Sequence, residues 1–365
     1  MAGLYIHIPF CASRCIYCGF YSTTSLSLRD QYVDALGEEM RIRGRAALST
    51  IYIGGGTPSQ LTHDQLVRLF TYIYNVYDVA EGIEVTMECN PDDIRPGMLE
   101  GLPVNRVSMG AQTFSDDRLR LLHRRHTADE VRRAVEILRQ DGIANISIDL
   151  MFGFPGETLE DWERDVEAAL ALKVEHVSAY SLMYEEGTVL YRMLQQGKVS
   201  EVDEELSNAM YYRLIDRLTA AGYEHYEISN FAKPGFRSRH NSSYWNDTPY
   251  IGVGAAAHSY DRLTRSWNVS DIREYIAAVG EGRRPFESET IDAGTHYDDC
   301  ICTALRTCEG IDLRQLSPAD HDYLLENAAP YVGRGLLAVT GDHLHLTREG
   351  ILISNTIMSD LMRAD

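Results

Sequence analysis

The run Cys11-Ala-Ser-Arg-Cys15-Ile-Tyr-Cys18 puts three thiols within eight positions, spaced C-x3-C-x2-C. Three thiolates on one short loop can each hold one iron of a [4Fe–4S] cluster, which leaves the fourth iron without a protein ligand. An open position on a metal is where a small molecule can coordinate and react. Zinc is the competing reading. It wants a fourth Cys or His at ribbon or finger spacing, and His7 in the preceding strand is the only local candidate. Three unrelated core cysteines are the other alternative. Cys300, Cys302 and Cys308 form a second group, but their segment reads as helical, and thiols at i and i+2 of a helix do not face one point. We read these three, with Cys89, as buried and unliganded. An odd count of seven, clustered, is also not the disulfide frame of a small secreted domain.

The cysteine run follows a strand-like segment, Leu4–Ile8, and five more short segments rich in Ile, Val and Tyr follow: 50–53, 83–87, 106–109, 145–150 and 176–181. Helical patterns lie between them. Thr62 with Gln65, Thr127 with Glu130, and Thr158 with Asp161 have the spacing of capping boxes, each ahead of apolar residues at helical period. Six βα units predict a parallel sheet covered by helices. They are too few for a closed eight-fold barrel, so the expected fold class is α/β, an open partial (β/α)6 barrel or a doubly wound sheet. The alternation stops near Arg237. Segment 270–335 reads as mostly helical, and 336–340 and 343–346 flank a Gly341-Asp342 turn as a hairpin before a last helix. Helices followed by such a hairpin make a small winged-helix-like C-terminal domain. The expected division is 1–236 barrel, 237–285 connecting segment, and 286–365 C-terminal domain.

Charge excludes some functions. The chain has 365 residues and a formal net charge of −20, a poor match for nucleic-acid phosphates. Residues 286–365 carry five Arg, no Lys and fourteen Asp or Glu, so the winged shape is read as structural or protein-binding rather than DNA-binding. No apolar run is long enough to span a membrane and no secretory signal is visible, so a cytoplasmic address is expected. The acidic surface also argues against purely electrostatic attachment to anionic lipid; docking at a membrane would be transient and through a protein partner.

In parallel α/β folds the working groups sit at the C-terminal ends of strands. The second strand ends in Gly54-Gly55-Gly56-Thr57-Pro58, the third at Glu88, the fourth near Gln112 and the fifth at Asp149. Glycines let a backbone approach a ligand, and carboxylates can take ribose hydroxyls or an ammonium group. Each alone could be a turn or a helix cap. Together with the cysteines they outline one polar ring.

With these residues in place, the chain resembles the radical S-adenosylmethionine (SAM) enzymes, whose signature is C-x3-C-x2-C after the first strand of a partial barrel. In that family SAM chelates the open iron and is cleaved by one electron to methionine and a 5′-deoxyadenosyl radical. Tyr5-Ile-His-Ile-Pro-Phe-Cys11, Gly54-Gly-Gly-Thr-Pro58, Gly110-Ala-Gln-Thr-Phe114 and Asp149-Leu-Met-Phe-Gly-Phe-Pro155 are similar to the oxygen-independent coproporphyrinogen III oxidase family over nearly the whole chain. The resemblance implies Cys11, Cys15 and Cys18 as cluster ligands. It implies SAM contacts at Tyr5, Gly55, Gly56, Thr57, Glu88, Gln112, Arg124 and Asp149, with Arg125 the neighbour that a one-residue slip would substitute for Arg124.

That family holds true oxidases and HemW-type heme chaperones. The oxidase motif continues to a further cysteine where this chain has Phe20, and the oxidases carry a longer segment ahead of the first strand than the four residues before Tyr5 here. His240-Asn-Ser-Ser-Tyr-Trp245 matches the H-N-x-x-Y-W motif of the chaperones. The resemblance therefore implies heme as a third cofactor, with His240 as its ligand, Tyr244 and Trp245 against the macrocycle, and Arg237 and Arg239 toward the propionates. His258, after a Gly-rich turn, is a further candidate contact. The implied function is heme binding and transfer to acceptor hemoproteins, respiratory enzymes among them, without oxidase activity. Coproporphyrinogen III oxidation and radical SAM chemistry on another substrate are the alternatives.

Overall fold

A computed structural model describes residues 1–363. Six parallel strands run in chain order across the sheet: β1 Ala2–Ile8, β2 Ala47–Gly55, β3 Asp78–Cys89, β4 Arg106–Gln112, β5 Asn145–Phe152 and β6 His176–Ser181. All six expected strands are present. Along them the side chains alternate in character. Leu4, Ile6 and Ile8, Ile51 and Ile53, Val85 and Met87, Val107 and Met109, Ile146 and Ile148 face the helices and are buried in the main core. Each such side chain contributes about 1.5–3 kcal/mol. The intervening residues are polar or small: Tyr5 and His7, Tyr52 and Gly54, Thr86 and Glu88, Ser108 and Gly110, Ser147 and Asp149, Ser178 and Tyr180. A parallel sheet buried on both faces normally reads as continuously apolar. Here the second face encloses a cavity, and its polar residues are what that cavity needs.

The three capping boxes form as read. In the helix His63–Val76 the Gln65 amide donates to Thr62 Oγ1 (3.3 Å) and the Thr62 amide to Gln65 Oε1 (3.0 Å). Thr127 with Glu130 opens Ala128–Gln140, and Thr158 with Asp161 opens Leu159–Ala171, in the same reciprocal way. Losing one such cap costs about 1 kcal/mol.

Beyond β6 the structure departs from the sequence reading. Two short strands, β7 Glu224–Glu227 and β8 Asn230–Ala232, pair antiparallel and extend the sheet past β6. On the other flank β9 Tyr250–Val253 runs parallel to β1, followed by antiparallel β10 His258–Tyr260, β11 Thr264–Asn268 and β12 Phe286–Thr290. The sheet therefore has twelve strands, in the order β12-β11-β10-β9-β1-β2-β3-β4-β5-β6-β8-β7, and is not closed into a barrel. Residues 237–285 hold part of this sheet rather than a linker, and 286–290 form its edge. These strands carry weak sequence signals because they are short, and β12, Phe-Glu-Ser-Glu-Thr, is exposed along its length, as a safe sheet edge should be.

The C-terminal unit has its own core around Tyr297, Ile301, Leu324, Leu337, Leu344 and Ile357. Helices Ala293–Ala304 and Pro318–Gly333 precede the expected hairpin, β14 Leu337–Thr340 with β15 His343–Leu346, and the short β13 Ile311–Asp312 completes its sheet. The unit docks on the β7–β8 turn: the Ile228 amide donates to the Arg306 carbonyl (3.0 Å), and Arg306 pairs with Glu227 (3.2 Å).

Candidate functional site

One cavity of about 560 Å³ opens at the C-terminal ends of β1 to β6. Its lining includes Cys11, Cys15 and Cys18 together with Tyr5, Gly55, Gly56, Thr57, Glu88, Gln112, Arg124 and Asp149. The structure thus brings every residue assigned to the cluster and SAM to one place.

The cysteine loop is pinned at its start, where the Cys11 amide donates to the Thr23 carbonyl (2.9 Å). Thr57 Oγ1 lies 3.5 Å from Cys11 Sγ, and an Arg124 nitrogen lies 3.6 Å from Cys15 Sγ. Burial raises the Cys11 and Cys18 thiols above their ordinary range. Among the described residues no group of three His, Cys, Asp or Glu side chains is gathered around a single ion position. A cubane cluster asks for something else: three thiols spread over three irons, facing a shared space. The loop and its hydroxyl and guanidinium neighbours fit that demand.

Arg124 and Arg125 separate cleanly. Arg124 donates to Asn90 Oδ1 (2.9 Å) and to the Gly110 carbonyl (2.7 Å), which aims it at the cysteine side of the cavity. Arg125 is tied to Asp92 (2.7 Å) and Asp93 (2.9 Å). Gln112 sits at a register irregularity of β4 with φ of +67°, a left-handed conformation that non-glycine residues adopt at a cost.

The glycine turn serves packing as much as ligand approach. Gly55 has φ of +112°, and a Cβ there would lie 2.6 Å from the His7 ring. A Cβ on Gly56 would lie 2.8 Å from the Pro9 backbone. Both amides are already used: Gly55 donates to Glu88 Oε2 (3.0 Å) and Gly56 to the Ile8 carbonyl (2.8 Å). The Thr57 hydroxyl is the polar group of this turn that faces the cysteines.

Glu88 also accepts from the Tyr52 hydroxyl (2.7 Å). Burial, with the Asp149 charge adding to it, raises its pKa to about 7. Asp149 accepts from Ser108 Oγ at 3.4 Å and is raised by burial to about 6. Arg106, fully buried beside these carboxyls, has two guanidinium nitrogens without a protein partner. Two carboxyls held out of water, their charged forms disfavoured by burial, suit a cationic, hydroxyl-rich ligand, whose ammonium and ribose would stabilise those charged forms. A carboxyl whose folded pKa exceeds its unfolded value destabilises the fold as pH rises between the two. Relative to the Glu88→Gln variant, the ligand-free protein should therefore lose thermal stability as pH rises from the ordinary glutamate range toward about 7; the same pH dependence in both would show that the fold does not hold Glu88 protonated. Asp149→Ala should weaken SAM binding measured by calorimetry while iron content stays unchanged.

His7, the candidate fourth zinc ligand, and Asn241 of the H-N-x-x-Y-W motif also line the cavity, as do Tyr52, Asn90 and Ser178, which no sequence motif marks. The strand alternation would have found His7, Tyr52 and Ser178, two residues from Tyr5, Gly54 and Tyr180 on the same face.

The expected heme residues lie elsewhere. His240 is fully buried on the helix Arg239–Trp245, under the N-terminal part of the sheet. Its Nδ1 is 2.8 Å from Thr50 Oγ1 and its Nε2 2.9 Å from the Tyr244 hydroxyl, so neither ring nitrogen is open to iron. Burial pushes its pKa down to about 3, and the ring is neutral. Arg237 pairs with Glu224 (2.9 Å) and Glu309 (2.6 Å), and Trp245 lies under Arg306, its guanidinium carbon 5.1 Å from the ring centre. His258 is exposed and stacks on Trp267 with centroids 5.9 Å apart. Of the remaining cysteines, Cys89 is buried as expected. Cys300 and Cys302 are half-buried and Cys308 is exposed, which corrects their assignment as core: Cys308 lies past the helix end, beside Arg237 at 3.7 Å.

Residues 5–169 match the Radical SAM superfamily and residues 295–353 the HemN C-terminal domain. The chain is 36% identical to heme chaperone HemW of Bacillus subtilis, covering 98% of both chains. It is 30% identical to heme chaperone HemW of Escherichia coli, over 98% of this chain and 97% of that one. The solved coproporphyrinogen III oxidase (HemN) of Escherichia coli, described as a radical SAM enzyme, superposes with a TM-score of 0.84 at 24% identity, over 99% of this chain and 89% of that one, and shares the fold. By end-to-end kinship and by fold, the chain belongs to the HemW-type branch of the radical SAM superfamily.

Proposed function

We propose that this protein is a heme chaperone: it binds heme, passes it to acceptor hemoproteins in the cytoplasm or at the membrane face, and carries a [4Fe–4S] cluster and SAM in its cavity. The observation that carries this reading is similarity to heme chaperones over 98% of the chain. Cys11, Cys15 and Cys18 would hold the cluster. Tyr5, Gly55, Gly56, Thr57, Glu88, Gln112, Arg124 and Asp149 would hold SAM. When bound, the pair supplies one-electron cleavage chemistry, and the chain's own part is to orient and to exclude water.

Phe20 supports the chaperone branch over the oxidase. It stands where the oxidase motif has its further cysteine, lines the cavity mouth, and is 73% exposed. Tyr180 and Met183 line the same mouth and are also exposed. Large apolar groups in water at a cavity mouth are the kind of surface on which a flat, apolar macrocycle rests and from which it can leave. For the iron, His258 is open to solvent. His240, the ligand implied by the H-N-x-x-Y-W motif, would reach iron only if the helix Arg239–Trp245 left the sheet. Soret spectra of His240→Ala and His258→Ala with added hemin decide between them: the variant that loses or shifts the band removed the ligand. The oxidase reading is tested separately. Anaerobic protein with SAM and an electron donor should leave coproporphyrinogen III unconverted; steady formation of protoporphyrinogen IX would restore the oxidase.

A further inference from the structure

His240, Thr50, Tyr52 and Tyr244 form one array beneath the cavity. The His240 ring is held in both in-plane directions, by Thr50 at 2.8 Å and Tyr244 at 2.9 Å. Its face lies on the Tyr52 ring, with centroids 5.0 Å apart and planes 26° from parallel. Tyr5 lies against Tyr52 as well, at 6.2 Å and 29°. Gly3 of β1 makes room for the imidazole, because a Cβ there would lie 3.2 Å from its Cε1. The helix carrying His240 is fastened by Glu84, whose two carboxylate oxygens accept the amides of Arg239 (3.0 Å) and His240 (2.9 Å). A carboxylate at a helix start also favours the helix electrostatically.

The upper end of the array is the ligand site. The Tyr52 hydroxyl donates to Glu88 Oε1 at 2.7 Å, and the other oxygen of Glu88 takes the Gly55 amide at 3.0 Å. Glu84, which holds the helix, and Glu88, which faces the cavity, belong to the same strand, four residues apart on one face. Asn241, next to His240, reaches the cavity lining. A side chain with both ring nitrogens bonded and one face stacked has no freedom to ligate, but it fixes what it touches.

We infer that His240 is a positioning residue of the SAM site: stacked under Tyr52, it sets the tyrosine hydroxyl that orients the Glu88 carboxylate. Of the H-N-x-x-Y-W segment Asn241 lines the cavity, and the histidine acts on the SAM site from beneath, through Tyr52. The inference rests on the reading of the cavity as a SAM site and is independent of whether heme binds.

The test is SAM affinity of the cluster-loaded full chain, with iron content and thermal midpoint recorded for each variant. His240→Ala should weaken SAM binding about tenfold, Tyr52→Phe should do the same by removing the hydroxyl, and the double variant should be no weaker than the weaker single one, because groups acting in series couple. His240→Phe keeps a ring over Tyr52 and cannot ligate iron; it should recover most of the affinity lost in the Ala variant. Equal SAM affinity in His240→Ala and wild type overturns the inference, as do additive losses in the double variant, which mark general destabilisation. If Tyr52→Phe alone leaves affinity unchanged, the route through Glu88 is refuted without reference to His240. Wild-type protein that holds its cluster but binds no SAM removes the cavity reading and this inference with it.

Discussion

Replacing Cys11, Cys15 and Cys18 together with Ala is expected to take the anaerobically prepared protein from about four iron and four sulfide per chain to none. The three thiols are the only cysteines of the cavity besides Cys89. Cys89 is buried, and its burial raises the thiol far above its ordinary range, so it does not offer a thiolate. The C-terminal cysteines cannot substitute. Cys302 Sγ lies against Met362 Sδ at 3.5 Å, and Cys308 is out on the surface beside Arg237. The fold should survive, since the loop lies outside the main core and its backbone is held by Thr23 and Leu122. Circular dichroism and the thermal midpoint would establish that. Full iron retention in the triple variant would mean that the cluster sits on other ligands.

Gly55→Val is expected to weaken SAM binding severely. At φ of +112° a β-branched residue is strained by about 1–3 kcal/mol before any contact is counted. The added Cβ would also lie 2.6 Å from His7, whose ring is held by the Tyr5 hydroxyl at 2.9 Å and so cannot swing away without disturbing the cavity wall. Relief requires the turn to shift, and the turn carries the amide that holds Glu88. We expect affinity to fall by about 100-fold or more, with a lower thermal midpoint and unchanged iron content. Wild-type affinity in this variant would show that the glycine turn is not part of the ligand site.

Much of this architecture is legible without coordinates, for identifiable reasons. The six strands are short apolar segments separated by capped helices, and Thr62, Thr127 and Thr158 announce those helices through purely local hydrogen bonding. The site residues at strand ends follow from topology, since parallel strands deliver their C-terminal ends to one edge. What local pattern cannot carry is partnership over long sequence distance. β9 Tyr250–Val253 is four residues long and becomes a parallel strand only because β1 offers it an edge. His240 is the plainest case. In the sequence it stands in a motif with two aromatics and two arginines nearby, a plausible heme cradle. In the fold Thr50, 190 positions away, takes one of its nitrogens and Tyr52 covers its face.

The central claim is that this chain holds heme and gives it up, and one measurement meets it directly. Cluster-loaded protein is incubated with hemin, freed of excess on a desalting column, and mixed with an apo-hemoprotein separable from it by size. The account predicts a Soret band that co-elutes with the protein in the first step and moves to the acceptor, with recovery of the acceptor's own spectrum, in the second. Hemin that passes through the column unretained, or that stays with the protein when the acceptor is present in excess, would contradict it.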